Sequence, residues 1–182
     1  MKLISAIACS AAAVGACVGG AGAASATDVH CDSAAGRDIT VVDGRTACRA
    51  AADDSAHARA AGFDGVGYAK AAAGATALGV GASGGIGASE GAGGMPVAIG
   101  LGPDAYAYTA YTATTAYTAG AAAPDSGGFA VTLAMNGSRA QLDSRQHAIA
   151  CLGSAALVWD SRSGAGCLAT PLGLWHTAAA LP

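Results

Sequence analysis

A short repeat between residues 56 and 108 limits what this chain can fold into more than any other feature. Roughly every ten positions, alternating apolar and small residues give way to a turn rich in glycine. Alternation with a period of two places side chains on opposite faces of an extended strand, whereas a helix repeats every 3.6 residues. The repeat therefore predicts short β-strands, in units that begin at Ala56, Val66, Thr76, Ile86, Val97 and Tyr106.

Two all-β architectures fit this repeat: the stacked coils of a β-solenoid or β-roll, and a meander of short antiparallel strands. In both, one row of side chains points into the core. We expect the larger residues to form that row and the glycines between them to face outward. The expected inward residues are Val66, Tyr68, Leu78, Val80, Ile86, Ala88, Ile99 and Leu101, and the expected outward glycines are Gly67, Gly79, Gly87 and Gly100.

Small residues dominate the composition, with 51 alanines and 28 glycines among 182 residues. Because alanine buries little surface and glycine none, the chain can pack only if its backbones approach one another closely. The formal net charge is −3. Without a basic face, neither nucleic acid nor anionic lipid is an expected electrostatic partner.

Residues 1–26 have the features of a signal peptide: one lysine, an uncharged stretch, and small residues at Ala24 and Ala26 before a cleavage point at Thr27. A lipobox-like pattern that ends at Cys17 offers an alternative, in which Cys17 carries a lipid. We therefore expect residues 27–182 to form a single exported β domain. Its expected location is secreted or at the cell surface, with a membrane anchor only if Cys17 is lipidated.

Four cysteines remain after residue 26: Cys31, Cys48, Cys151 and Cys167. An even number in an exported chain indicates disulfides rather than metal ligands. Three pairings are possible. We expect Cys31–Cys48 and Cys151–Cys167, because their spacings are similar and each pair flanks a segment that contains a turn. Each bridge then closes a short loop and contributes about 3 kcal/mol to stability.

Turn sequences predict hairpins on both sides of the repeat. Asp43-Gly44 follows a β-branched run, so residues 38–46 are expected to form a hairpin tied by the first bridge. Asn136-Gly137 predicts a second hairpin between residues 129–135 and 139–142. Residues 129–182 hold many of the bulky residues, and we expect the large-residue core there.

Two further segments have patterns that fit more than one interpretation. Residues 48–62 fit either an alanine-rich helix or a strand. Residues 108–119 repeat Tyr-Thr-Ala every three positions, which fits neither the period of a strand nor that of a helix. We interpret this run as an extended or loose insertion, with glycan binding as the alternative.

Three serines lie in motifs that resemble catalytic ones. Ser83 and Ser89 each occupy a G-x-S-x-G pattern, which acts in hydrolases at the edge of a large parallel sheet that this chain cannot supply. Ser126 lies in Asp-Ser-Gly-Gly after His30, His57 and Asp64, the order of a serine-protease triad, but the flanking residues differ from that family. The sequence therefore indicates no catalytic residue.

Metal and cofactor sites are not expected either. Asp64 and Asp104 each lie beside turn glycines in the manner of calcium-binding β-rolls, but such residues do not recur in every unit. We identify no cofactor-binding motif.

Six segments carry a family resemblance: TVVDGRTACRA, GATALGVGASGGIGASEG, VAIGLGPDA, AMNGSRAQL, CLGSAALVWD and CLATPLGLW. They resemble a family of small Ala/Gly-rich exported actinobacterial proteins classified only as a domain of unknown function. The resemblance implies an exported protein with paired terminal cysteines and no known catalytic or binding residues. Separately, ATALGVGAS and PVAIGLGPDA resemble the β-roll repeats of trimeric autotransporter adhesin heads, which use a longer unit and a membrane anchor.

The sequence thus leads us to expect a non-enzymatic exported protein with a structural or interaction role in the cell envelope. Its partner would be an unknown envelope or extracellular component. A surface adhesin or glycan-binding module is the first alternative, and a small secreted hydrolase is the second.

Overall fold

A computed structural model describes residues 27–113 and 127–177 of the chain, which form fifteen β-strands in two sheets. The larger sheet contains, in spatial order, β1 (Asp28–Ala34), β4 (His57–Phe63), β6 (Thr76–Ala82), β8 (Met95–Leu101), β10 (Phe129–Met135), β13 (Ala156–Asp160), β14 (Gly166–Thr170) and β15 (Gly173–Thr177). The smaller sheet contains β12 (Ala148–Leu152), β11 (Arg139–Asp143), β9 (Tyr106–Thr112), β7 (Ile86–Ala92), β5 (Val66–Ala72), β3 (Thr46–Ala52) and β2 (Asp38–Asp43). The expected all-β fold is confirmed.

The middle of the molecule is a β-solenoid of about three turns, because successive strands alternate between the sheets. Strands β3, β5, β7, β9 and β11 are parallel in the smaller sheet, as are β4, β6, β8 and β10 in the larger one. Val66 pairs with Ile86 and Ile86 with Tyr106, a step of 20 residues. The ten-residue repeat is therefore half a coil.

Antiparallel strands close both ends of the solenoid. At the N-terminal end, β1 pairs with β4 and β2 pairs with β3. At the other end, β12 pairs with β11, while β13, β14 and β15 continue the larger sheet. The expected hairpin at residues 38–46 is present as β2–β3, and residues 48–62 are strand rather than helix.

Each end also carries one disulfide, with the expected pairing. Cys31 on β1 is bonded to Cys48 on β3, and Cys151 on β12 is bonded to Cys167 on β14. In both cases one cysteine lies in the larger sheet and the other in the smaller sheet. The bridges therefore fasten the two sheets together at the ends of the solenoid, rather than closing a hairpin.

The expectation about which side chains face inward is wrong. Gly67, Gly79, Gly87 and Gly100 are buried, whereas the large residues beside them are only partly buried or exposed and face outward. The interior consists mainly of alanine and glycine, with Ala69, Ala77, Ala98, Ala107, Ala130 and Ala134 among its fully buried residues.

Close approach of the two backbones explains this inversion. A Cβ atom added at Gly79 would overlap with the carbonyl oxygen of Tyr68, and one added at Gly87 with that of Val80. Since overlapping atoms cannot be accommodated in a close-packed interior, these two positions admit no side chain larger than the hydrogen atom of glycine. The larger residues must therefore point to the outside.

The predicted hairpin at Asn136-Gly137 is also wrong. Both residues have positive φ, as a tight turn requires, but β10 and β11 on either side of them lie in different sheets. Asn136-Gly137 is therefore a corner of the solenoid. In the parallel coils, each strand pairs with the equivalent strand one coil away, so its sequence neighbour is not its partner.

Residues 129–177 do not contain a core of large side chains, which corrects a further expectation. Phe129, Leu157, Trp159, Leu168 and Trp175 are all at least 37% exposed. Leu142 and Val158 are buried exceptions.

The Tyr-Thr-Ala run joins the repeat at its start, because Tyr108–Thr112 belong to β9 and Tyr111 is 2% exposed. Most of the rest of the run lies outside the described residues, together with residues 1–26 and Ser126.

Candidate functional site

The serines of the catalytic-like motifs have structural positions. Ser89 is fully buried and donates a hydrogen bond of 2.9 Å to the carbonyl oxygen of Pro96. Ser83 lies in a solenoid corner with φ 53°, and its backbone N–H donates to the carbonyl oxygen of Phe63. Neither serine lies in a turn between a strand and a helix, where a G-x-S-x-G nucleophile lies: Ser89 is within β7, and Ser83 is between β6 and β7.

Ser126, the serine of the candidate triad, lies outside the described residues, and His30, His57 and Asp64 do not converge on Ser83 or Ser89. His30 and His57 are exposed on the outer side of the larger sheet, and the His30 ring packs edge-on against Phe63 at 5.3 Å between centroids. Asp64 forms an ion pair with Arg45 at 3.1 Å. Ser89 lies in the interior, so the sheet separates it from both histidines.

Metal ligands do not cluster in the described part of the chain. No three side chains of His, Cys, Asp or Glu lie together there in a way that could hold an ion. Asp104 lies in a corner with φ 58°. No described segment forms a helix of the length and apolarity needed to cross a membrane.

The outer surface of the larger sheet is the most unusual feature of the molecule. It presents what we call the apolar face, formed by the outward side chains of β6, β8, β10, β13, β14 and β15. Its members are Leu78, Val80, Met95, Val97, Ile99, Leu101, Phe129, Val131, Leu133, Met135, Leu157, Trp159, Leu168 and Trp175.

Strand register aligns these residues into continuous rows. One row crosses all six strands through Val80, Ile99, Leu133, Leu157, Leu168 and Trp175, each paired with the next across neighbouring strands. The row beside it contains Leu78, Val97, Val131 and Trp159. Because strands twist but stay laterally adjacent, such rows make a broad surface rather than scattered apolar spots.

The apolar face carries no charged side chain. None of the outward positions on these six strands is Asp, Glu, Lys or Arg, and the charged or titratable residues on them, Asp160 and His176, point the other way. A salt bridge between Arg59 and Asp32, 2.9 Å long, lies beyond the face on β4 and β1. Charge is therefore confined to the border.

The outer surface of the smaller sheet has the opposite character, and we call it the polar face. It displays Arg49, Tyr68, Lys70, Glu90, Tyr106, Tyr108, Arg139, Gln141 and Asp143. A depression of about 350 Å³ lies here, lined in part by Lys70, Glu90, Tyr108, Asp143 and Arg145.

Two tyrosines on the polar face are separated by one small residue. Tyr68 and Tyr108 lie on either side of Ala88 in the strand register, and Glu90 follows on the same strand as Ala88. Partial burial raises the pKa of both tyrosine hydroxyls, and the negative charge of Glu90 raises it further. Both phenols thus stay protonated at neutral pH and can donate hydrogen bonds.

Neither face was expected from the sequence, because the large residues were predicted to point into the core. A usable pattern was nevertheless present. Units that begin at Val66 and Ile86 contain Lys70 and Glu90, whereas the intervening unit from Thr76 has no charge. This alternation over 20 residues is the trace of two sheets with different outer surfaces.

Comparison with known proteins adds a family. A family model described as a family of unknown function (DUF6764) matches residues 1–170. The match includes the strands β1 to β14, whereas β15 lies beyond it. No curated protein and no solved structure matches the chain. Since the model spans most of the sequence, and with it the solenoid, both disulfides and most of the apolar face, the chain belongs to this family of unknown function.

Proposed function

We propose that this chain is a non-enzymatic exported protein with a structural or interaction role in the cell envelope, and that the apolar face is the surface through which it acts. The single observation behind this proposal is the size and composition of that face. Six strands about 4.8 Å apart and five to seven residues long make an area of roughly 600 Å². This is at the upper end of the range of about 300–600 Å² for the largest apolar patch on a monomer, and such patches are often functional.

Export is supported by the cysteines. Two disulfides hold the ends of the solenoid, and such bridges are compatible with an extracellular location because they persist in oxidising compartments. The composition of residues 1–26 agrees with a signal peptide.

A non-enzymatic role is supported by where the candidate serines lie. Ser89 is bonded inside the core and Ser83 lies in a corner, and the hydroxyl group of neither is hydrogen-bonded to a histidine or a carboxylate in the described part of the chain. The depression of about 350 Å³ on the polar face is partly open to solvent, and no serine, cysteine or histidine is among the described residues that line it.

Photo-crosslinking in the producing cells tests the proposal. A photoreactive residue at Leu133, in the middle of the apolar face, should give crosslinks in the envelope or extracellular fraction. The same residue at Gln141, which is exposed on the polar face, is the matched control and should give far fewer. Chain found only in the cytoplasm with reduced thiols would contradict the proposal. So would turnover of a hydrolase substrate that requires Ser83 or Ser126.

A second candidate function, glycan binding, is favoured by the tyrosines of the polar face. Tyr68 and Tyr108 flank Ala88, with Glu90 and Lys70 beside them. Aromatic rings with nearby hydrogen-bonding groups form amphipathic surfaces that suit sugar rings.

Binding to insoluble wall polysaccharide would test this candidate. Tyr68→Ala and Tyr108→Ala should each weaken binding about tenfold, while Leu133→Ser on the opposite face should not. Deletion of residues 108–119 is unsuitable, since it would remove most of β9, including the buried Tyr111. Equal binding by all variants would exclude the polar face as a glycan site.

A further inference from the structure

We propose that the occupant of the apolar face is a second copy of this chain, packed against it sheet on sheet. The inference rests on the proposed function, since it names the partner of the same surface. Four observations support a second copy over other occupants: the area, the lack of charge, the rim and the arrangement of the largest side chains.

The area is sufficient for a stable dimer. Two faces of roughly 600 Å² each, estimated from strand length and spacing, would together bury about 1,200 Å². Stable interfaces begin at about 1,200 Å² in total. The face therefore meets the requirement without help from any other part of the chain.

The lack of charge favours self-association. A foreign protein partner is usually selected by complementary charges and by repulsion of wrong partners. The apolar face offers neither, because its outward positions carry no Asp, Glu, Lys or Arg. A two-fold dimer requires only that the face be complementary to itself. A face made of apolar side chains throughout meets this requirement, because an apolar residue of one copy meets an apolar residue of the other.

The rim argues against a lipid surface. Interfacial membrane binding relies on basic residues around an apolar patch. On the side of β4, Arg59 is engaged by Asp32 at 2.9 Å, and on the opposite side β14 and β15 carry no lysine or arginine. With a net charge of −3, the molecule is not attracted to anionic membranes.

The largest side chains lie where a dimer core needs them. Trp159 and Leu157 on β13 adjoin Val131 and Leu133 on β10 in register, and Trp159 is 40% exposed. Tryptophan near the centre of an interface contributes most to affinity. Two sheets that pack face to face lie about 10 Å apart with their strands rotated by about 30°, so side chains of this size can interdigitate.

The mass of the full chain, isolated from the producing cells with both disulfides intact, tests the proposal by analytical ultracentrifugation. The chain should be a dimer at micromolar concentration. Leu133→Lys should raise the dimer dissociation constant at least about a hundredfold, because two-fold symmetry places each substitution in the interface twice. Gln141→Lys, which adds the same charge to the polar face, should leave the constant within about threefold.

A second substitution guards against misfolding. Leu157 is 37% exposed, so Leu157→Lys leaves the lysine in solvent in the monomer and should also give a folded monomer by circular dichroism. A wild-type chain that remains monomeric at 100 µM would overturn the proposal. So would a dimer that Gln141→Lys dissociates and Leu133→Lys does not. Monomeric chain that still crosslinks to an envelope component through Leu133 would overturn the dimer alone and leave the proposed function standing.

Discussion

Inward glycines determine how closely the two sheets of this protein lie. Gly67, Gly79, Gly87 and Gly100 each face backbone atoms of the opposite sheet, where a Cβ would overlap. A glycine inside a strand weakens it by loss of packing and by extra entropy in the unfolded chain. Here the close contact between backbones compensates, because each inward glycine lets atoms on both sides reach van der Waals distance.

Adding one methyl group at such a position should therefore destabilise the fold. We expect Gly79→Ala to lower the free energy of unfolding by about 1–3 kcal/mol through overpacking. Val80→Ile adds one methylene to the next residue of the same strand, on the outer side, and should change stability by less than about 0.5 kcal/mol. Denaturant unfolding of both variants would show the difference, and equal effects would mean that the glycine does not limit the sheet separation.

Inward hydroxyl groups are the second residue-scale feature. Thr109 and Thr132 are both fully buried, and their Oγ1 atoms lie 2.8 Å apart. Thr109 also donates a hydrogen bond of 2.8 Å to the carbonyl oxygen of Val97. With the proton of Thr109 used in that bond, Thr132 must be the donor between the two hydroxyls. The interior thus joins the two sheets through a short polar chain.

A double-mutant cycle would measure this chain. Thr109→Val removes the acceptor of Thr132 and the donor to Val97, and should cost about 1–3 kcal/mol because buried polar groups lose their partners. Thr132→Val should cost less. The double variant should cost less than the sum of the two, since it leaves only one buried group unpaired. Strict additivity would indicate that the two hydroxyls do not interact.

At the scale of the elements, the corners of the solenoid carry the polar interactions that hold neighbouring coils in place. The clearest case is Asp53, whose carboxylate accepts hydrogen bonds from the backbone N–H of Ala73 at 2.7 Å and of Ser55 at 2.9 Å. Ala73 belongs to the next coil, so this carboxylate links two coils. The bond from Ala73 is the main cause that lowers the pKa of Asp53.

This shift predicts a dependence of stability on pH. Because the pKa of Asp53 is lower in the folded state than the value of about 3.9 in an unfolded chain, the unfolded state takes up the proton first as the pH falls. The contribution of Asp53 is therefore present above about pH 4 and is lost on further acidification. Asp53→Asn should make the melting temperature less sensitive to pH between about pH 5 and pH 2.

The control for this experiment is the neighbouring residue. Asp54→Asn removes the same charge without altering the bonds to Ala73 and Ser55, and should retain the pH sensitivity of the wild-type chain. An Asp53→Asn variant with unchanged sensitivity would show that the inter-coil bonds are not made by the charged carboxylate.

Elements were predicted with mixed success, for reasons that particular residues make clear. The alternation around Leu78 and Val80 correctly indicated a strand, and Asp43-Gly44 correctly indicated a hairpin. The hairpin predicted at Asn136-Gly137 was wrong, because the positive φ values of these residues suit both a hairpin and a solenoid corner. Local sequence specifies the turn, and only the position of neighbouring coils decides which strand lies beside which.

On the scale of the whole molecule, the protein is a linear stack of coils with one disulfide at each end. Each coil contacts mainly the coils before and after it, so stability is approximately a sum of neighbour interactions. The Cys31–Cys48 bridge holds the sheets together at β1 and β3, and the Cys151–Cys167 bridge does so at β12 and β14. Loss of one bridge should therefore loosen one end before the other.

Hydrogen exchange would test this directional effect. In Cys31→Ala/Cys48→Ala, amides of β1–β3 should lose protection more than those of β11–β14. The variant Cys151→Ala/Cys167→Ala should show the reverse, and each serves as the control for the other. Each double variant should also lose about 3 kcal/mol of stability, because a loop of this length is no longer closed in the unfolded chain. Uniform loss of protection along the chain would mean that the stack unfolds only as a unit.

The sequence by itself determined the strands from Val66 to Leu101, the positions of the turns and the pairing of the four cysteines after residue 26, because alternation and spacing are local properties that survive in any packing. It left residues 48–62, which form strand, open between helix and strand. It also determined that backbones must lie close together, since alanine and glycine leave nothing else to fill the interior. Only the tertiary structure decided which face of each strand is the inner one. That choice depends on the distance between the sheets. Contacts between strands of different sheets, such as that of Gly79 with the Tyr68 carbonyl group, set this distance. The same distance turned Leu133 and Trp159 outward and so created the apolar face.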